Sequence, residues 1–305
     1  MVKFIHLIVL LLLATSAAAD KARYLEIAER GWNYTLRSTM VGRDMTIPVR
    51  INGRSLAGAA ICIVGEQPHR MTWDVLHQFR RLAEATYKKT LPMRFAGPSI
   101  HGCGIGRTVV LRLFSDAPPH DALATDTHWL NAAYALGLSE RQIMIAQSPA
   151  MGQTFFGRSG QATHIMIQQP NSEIPSVLEG KFFKSILIEE LFQTFTFGMD
   201  IAHFNKNADY LSKLQEWPFA QQTGSWTSPE FMRAILGSNP VGLCEFDVFM
   251  LHAVASSPAP TTNSSAFIDY IEEAFADLHA RTQVTMNDPL IEPLLDRNCR
   301  PVEYD

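Results

Sequence analysis

The segment from Phe182 to Asp200, FFKSILIEELFQTFTFGMD, limits most strongly what this chain can fold into. It reads as one helix whose apolar residues cover almost the whole circumference: Phe182, Phe183, Ile186, Leu187, Ile188, Leu191, Phe192, Phe195 and Phe197. Such a helix is buried on all sides, in the core of its domain. Glu189, Glu190 and Gln193 interrupt it. Glu189 and Gln193 stand four residues apart on one face, and Glu190 points about 100° to the side. A buried carboxylate without a partner costs several kcal/mol or takes up a proton. These side chains therefore line a cleft, bind something, or are paired by groups from elsewhere in the chain.

The 305 residues are 47% hydrophobic and carry a net charge of −4. That supports a sizeable core and, with no basic stripe, excludes nucleic acid as a partner. Residues 1–19 resemble a secretory signal peptide. Lys3 begins it, Phe4 to Leu13 is its apolar run, and Ala17-Ala18-Ala19 is a cleavage site before Asp20. The run is shorter than the ~20 residues of a spanning helix, and no later stretch is long and apolar enough to span. A periplasmic or secreted protein without a membrane span is expected. Export makes Cys62, Cys103, Cys244 and Cys299 disulfide candidates. Three pairings are possible. Cys62–Cys103 and Cys244–Cys299 are expected, because each pair lies within one half of the chain.

Periodicity predicts a helix around Tyr24 to Trp32, strands at Thr46 to Ile51 and Ala60 to Val64, and a helix from Pro68 to Lys89. Strands follow at Leu91 to Phe95, Thr108 to Phe114, Gln142 to Gln147 and Ala162 to Gln168. A helix is expected at Asp126 to Leu136, and Ser148 to Gly160 reads as a glycine-rich loop. Gly198 is placed to end the central helix in a left-handed turn. Beyond it, Asn207 to Trp217, Ser228 to Leu236, Leu243 to Ala255 and Ala266 to Ala280 read as helices, and Asp288 to Asp305 as an irregular tail. The class is α+β. Residues 20–200 form a mixed-sheet part ending in the central helix, and residues 201–305 a helical C-terminal part of the same domain.

A mixed sheet followed by a buried helix with polar groups at i, i+1 and i+4 resembles the zincin metallopeptidases, whose helix carries His-Glu-x-x-His. The aligned residues here are Glu189-Glu190-Leu191-Phe192-Gln193. More specifically, the chain resembles an uncharacterised family of secreted bacterial domains with Glu-Glu-Leu-Thr-Gln, then a Gly and an Asp. Ile188 to Gln193, Gly198 and Asp200 match, as does Phe246 to His252. The resemblance implies a zincin-like fold. It puts Glu189 and Gln193 at the metal-ligand positions and Glu190 at the general-base position. Asp200 or His203 would return as a third ligand.

Neither ligand position is His, so zinc is disfavoured, and Glu and Gln suit a harder divalent ion. Three functions stay open. One is a degenerate, metallopeptidase-like scaffold that binds a peptide or an envelope protein, with Ala162 to Gln168 as the edge strand that pairs with it. Another is an active metal-dependent hydrolase using Glu190 as base. The third is a structural envelope protein. The mature-chain histidines form no H-x-H or H-x-x-x-H pair, and His203 and His164 rank first among them by proximity to the central helix and the candidate edge.

Overall fold

The computed structural model describes residues 20–36, 46, 49–139, 142–205, 208–218 and 225–304. The leader-like segment 1–19 lies outside them, as does part of the strand expected at Thr46 to Ile51; of the rest of that strand, Thr46 is a turn and residues 49–51 are irregular. The fold is α+β. Its five-stranded mixed sheet has the order β2-β1-β3-β5-β4, with β1 Ala60–Gly65, β2 Met93–Phe95, β3 Thr108–Phe114, β4 Ala150–Gly157 and β5 Gly160–Gln168. All neighbours run parallel except β4, which pairs antiparallel with β5.

The interior strands are buried on both faces, which is why they read as apolar runs. Ile61, Ile63, Val109, Leu111, Ile165 and Ile167 join the larger core. Their neighbours Cys62, Val64, Val110 and Met166 join a second core on the other face. Helix α3 (His120–Tyr134) covers that second face with Leu123, Leu130 and Tyr134. The larger core gathers helix α1 (residues 20–32), α2 (Arg70–Tyr87), α4 (Val177–Thr196) and the C-terminal helices. Those are α5 Pro229–Leu236, α6 Glu245–Ser256, α7 Ser265–Glu273 and α8 Phe275–Met286. Sheet and helical parts thus share one apolar interior.

Several expectations need correction. Gln142 to Gln147 is irregular, and the edge strand β4 occupies the stretch expected to be a loop. Gly152 and Gly157 make that stretch look like a turn. Its strand character comes from the hairpin to β5, whose register ends at Gly157↔Gly160. Ala162 to Gln168 is therefore interior, between β3 and β4, not the edge. The described part of Asn207 to Trp217 contains no helix, only the two-residue strand β7 (Gln215–Glu216), parallel to β6 (Ile201–Ala202). Its side chains are turned into the core: Ser212, Lys213 and Leu214 are fully buried. The helix expected over Ala266 to Ala280 is broken at Ala274 into α7 and α8.

Helix α4 begins at a capping box. Ser176 Oγ accepts from the Glu179 N–H and Glu179 Oε2 accepts from the Ser176 N–H. It ends at Phe197, which takes the left-handed turn at φ 56° that the sequence assigns to Gly198. Gly198 is needed for closeness instead. A Cβ there would stand 2.5 Å from the Trp32 ring and 2.6 Å from Leu214. Both expected disulfides are formed, Cys62–Cys103 and Cys244–Cys299. They belong with an oxidising compartment. Among the described residues no helix is long and apolar enough to cross a membrane.

Candidate functional site

The polar residues of α4 open onto the side of the sheet where β4 is the free edge. The Gln168 N–H to Pro149 carbonyl bond sets the phase of the β4–β5 ladder. Residues alternate along an antiparallel pair, so the backbone groups of Ala150, Gly152, Thr154 and Phe156 face away from β5. Gly152 meets α4 closely, with its backbone beside the Glu190 carboxyl. A Cβ on Gly152 would stand 2.5 Å from Glu190 Oε2. Only glycine admits the carboxyl at that distance.

Glu189 points the other way and is held by two buried groups. Lys213 Nζ lies 2.9 Å from Glu189 Oε2, and Asn239 Nδ2 donates to the same oxygen at 3.0 Å. Lys213 Nζ also donates to Ser185 Oγ at 2.9 Å and to Asn239 Oδ1 at 2.8 Å. The three N–H groups of the ammonium thus meet three oxygens. Its backbone is anchored by Asp247, which accepts from the Lys213 and Cys244 N–H groups and from Ser212 Oγ.

Of Asp200 and His203, it is Asp200 that lies beside the helix glutamates. Gln193 Nε2 donates to Asp200 Oδ1, so the amide at the second ligand position is spent on a neighbouring carboxylate. The β6–β7 pair then delivers Glu216, which no motif singled out. Oxygens of Glu189, Asp200 and Glu216 all lie within 4.8 Å of one another. His203 does not join them: its Nε2 faces the Ala208 carbonyl and its Nδ1 the Gln215 amide. His164 lies in the core, its Nε2 2.8 Å from Asp126 Oδ2, and Asp126 is also paired with Arg112.

Crowded carboxylates raise one another. Desolvation first, then the charges of Glu189, Asp200 and Glu216, pushes the Glu190 carboxyl well above its ordinary range, and the Gly152 amide only partly offsets this. Desolvation and the Glu189 charge also raise Asp200, against the Gln193 bond and Lys213. Glu216 is raised by desolvation, then by the Glu189 and Asp200 charges, with Lys213 opposing. The site is therefore poised to hold protons or a cation.

Two openings meet at Glu190, Gln193 and Asp200. One, of about 360 Å³, runs past Gly152, Thr154, Phe156 and Phe197. The other, of about 590 Å³, is bounded by Ala150, Glu189, Glu216, Trp226 and Phe231. Together they form a cleft alongside β4 with carboxylates at its middle.

Lys213, Glu216 and Asn239 were not legible as site residues. Leu211, Leu214 and Trp217, three apart, suggest a helix in which Lys213 would be an ordinary surface lysine. Asn239 falls between the helices expected at Ser228 to Leu236 and Leu243 to Ala255, with no pattern of its own. Comparison with known proteins returns no matching family model, no similar curated protein and no similar solved structure.

Proposed function

We propose that this protein is a secreted or periplasmic scaffold of metallopeptidase-like, zincin-related design that binds extended peptides along β4 and does not hydrolyse them. The observation that carries this reading is the engagement of both glutamates. Glu189, at the first ligand position, is spoken for by Lys213 and Asn239. Glu190, at the base position, is packed against Gly152, and burial and the neighbouring carboxylates push its carboxyl well above the ordinary range. What the site keeps is a cleft beside an open strand edge, where main-chain bonds supply affinity. Its surplus of carboxylates favours peptides with a Lys or Arg side chain at the centre of the cleft.

The test is selection from a randomised synthetic peptide library on the purified protein, followed by amide exchange. Enrichment of basic, extended sequences and new protection at Thr154 and Phe156 are expected. A library that returns no enriched sequence, or binding that leaves β4 exchange unchanged, would sink the proposal.

A second reading rests on the cluster of Glu189, Asp200 and Glu216. Its donors are all oxygens, which suit Ca²⁺, Mg²⁺ or Mn²⁺ better than zinc. Calorimetric titration with each ion separates the readings. Stoichiometric binding lost in Glu216→Gln supports a cation site, and no heat from any ion excludes it.

A further inference from the structure

Behind the cleft, Lys213, Asn239 and Glu189 close a polar triangle inside the core. Lys213 and Asn239 are 0% and 1% exposed. Lys213 Nζ touches Asn239 Oδ1 at 2.8 Å, with the carboxamide carbon one bond beyond. A single oxygen, Glu189 Oε2, accepts from both Lys213 Nζ at 2.9 Å and Asn239 Nδ2 at 3.0 Å. One carboxylate thus bridges an amine and the amide nitrogen that the amine would displace. We infer that these residues form an intramolecular isopeptide bond between Lys213 Nζ and Asn239 Cγ, with Glu189 carrying the proton.

The step balances without oxidant, reductant or cofactor. Glu189 takes a proton from the Lys213 ammonium and frees its lone pair. The amine attacks Asn239 Cγ, and the new C–N bond turns the carbonyl oxygen into an oxyanion. When the carbonyl re-forms, the Cγ–Nδ2 bond breaks; Glu189 returns its proton to the departing nitrogen, which leaves as ammonia, and takes up the second proton from the new amide nitrogen. The ammonium–carboxylate pair and a primary amide thus become a secondary amide, a protonated Glu189 and ammonia.

The surroundings favour it. Asp247 pins the Lys213 backbone, with its Oδ2 2.8 Å from the amide nitrogen, so the reactants are held together and shielded from water. The bond also replaces a buried ion pair, costly to desolvate, with a neutral amide. Asn239 is followed by Pro240, whose nitrogen carries no hydrogen. The usual competing reaction of an asparagine, attack on Cγ by the next backbone nitrogen, is closed here. The link would tie the β7 segment to the turn after α5 and shorten the unfolded chain, as a disulfide does. It goes beyond the peptide-binding reading and is independent of it, since neither Lys213 nor Asn239 lines the cleft.

The experiment is mass spectrometry of the purified, reduced, denatured protein, with peptide mapping. The expected result is a mass one ammonia below that of the sequence present. A branched peptide should join the segments carrying Lys213 and Asn239, and be absent from Lys213→Arg and from Asn239→Ala. Glu189→Gln should fold and stay unlinked. A wild-type chain that keeps its full mass and unlinked peptides after prolonged folded incubation at neutral pH overturns the proposal. So does an ammonia loss mapped to any other residue. If Glu189→Gln links as fully as wild type, the proton-carrier role is overturned. If that variant does not fold, the wild-type map still decides the bond itself.

Discussion

Single residues in this protein matter most where charge is buried. Arg112, Asp126 and His164 sit between β3, α3 and β5, on the sheet face away from the cleft, and all are buried. Burial by itself would raise the Asp126 carboxyl, but hydrogen bonds from His164 and Arg112 and their charges win and hold it below the ordinary range. Asp126 is thus the anion that makes two buried cationic or polar partners tolerable. Asp126→Ala is expected to destabilise by about 3–5 kcal/mol, because Arg112 is left buried and unpaired. Urea denaturation checks this, and a loss under about 1 kcal/mol would show that water reaches Arg112. Nothing in the sequence marks Asp126 apart from other helix aspartates; only the register that sets His164 beside Val110 on β3 brings them together.

At the scale of elements, α4 and β4 show opposite limits of pattern reading. The central helix is legible because apolar residues repeat on every face, but it starts at Val177, ahead of the expected Phe182, where the capping box of Ser176 and Glu179 sets its first turn. Ser176→Ala removes one half of that box and should cost about 1 kcal/mol, read as a lowered thermal midpoint with the cleft unchanged. Its end is less legible, since Phe197 accepts a left-handed conformation so that Gly198 can pass between Trp32 and Leu214. β4 is nearly invisible in the sequence. Its glycines argue against a strand, and its outward-facing groups are partly polar. It exists because β5 offers a paired edge through a tight hairpin. Moving the edge from β5 to β4 also moved the expected peptide-pairing strand to the one beside Glu190.

For the whole molecule, the buried carboxylates predict how stability follows pH. Asp247 is raised from its ordinary 3.8 to about 7, mainly by burial, against the bonds from Ser212, Lys213 and Cys244. Glu190, Asp200 and Glu216 are raised as well. For each, the folded chain binds a proton more tightly than the unfolded chain does. Stability is then full below the unfolded value and is lost as pH rises through the folded one. The metal-free protein should lose stability steadily from about pH 4 to beyond pH 7, on the order of several kcal/mol in all. Asp126 acts the other way, but only below the ordinary carboxylate range. Denaturation midpoints in chelator at a series of pH values check this; a rise in stability across that window would contradict the burial of these groups.

The sequence by itself determined the class, the buried central helix and the oddity of Glu189 and Glu190, and it favoured one of three disulfide pairings, which the structure forms. These follow from local periodicity and from the halves of the chain to which the cysteines belong. It offered Asp200 or His203 as the group returning to the helix, and the structure brings Asp200 there. Only the tertiary structure decided which charges answer the glutamates. Lys213 and Glu216 arrive from a segment that reads as a surface helix and Asn239 from a stretch with no pattern of its own, and their roles depend on the β6–β7 pairing and the anchoring by Asp247. Burial of a lysine is a property of what packs around it. No local pattern encodes that, and for this reason the helix was readable in the chain while its partners were not.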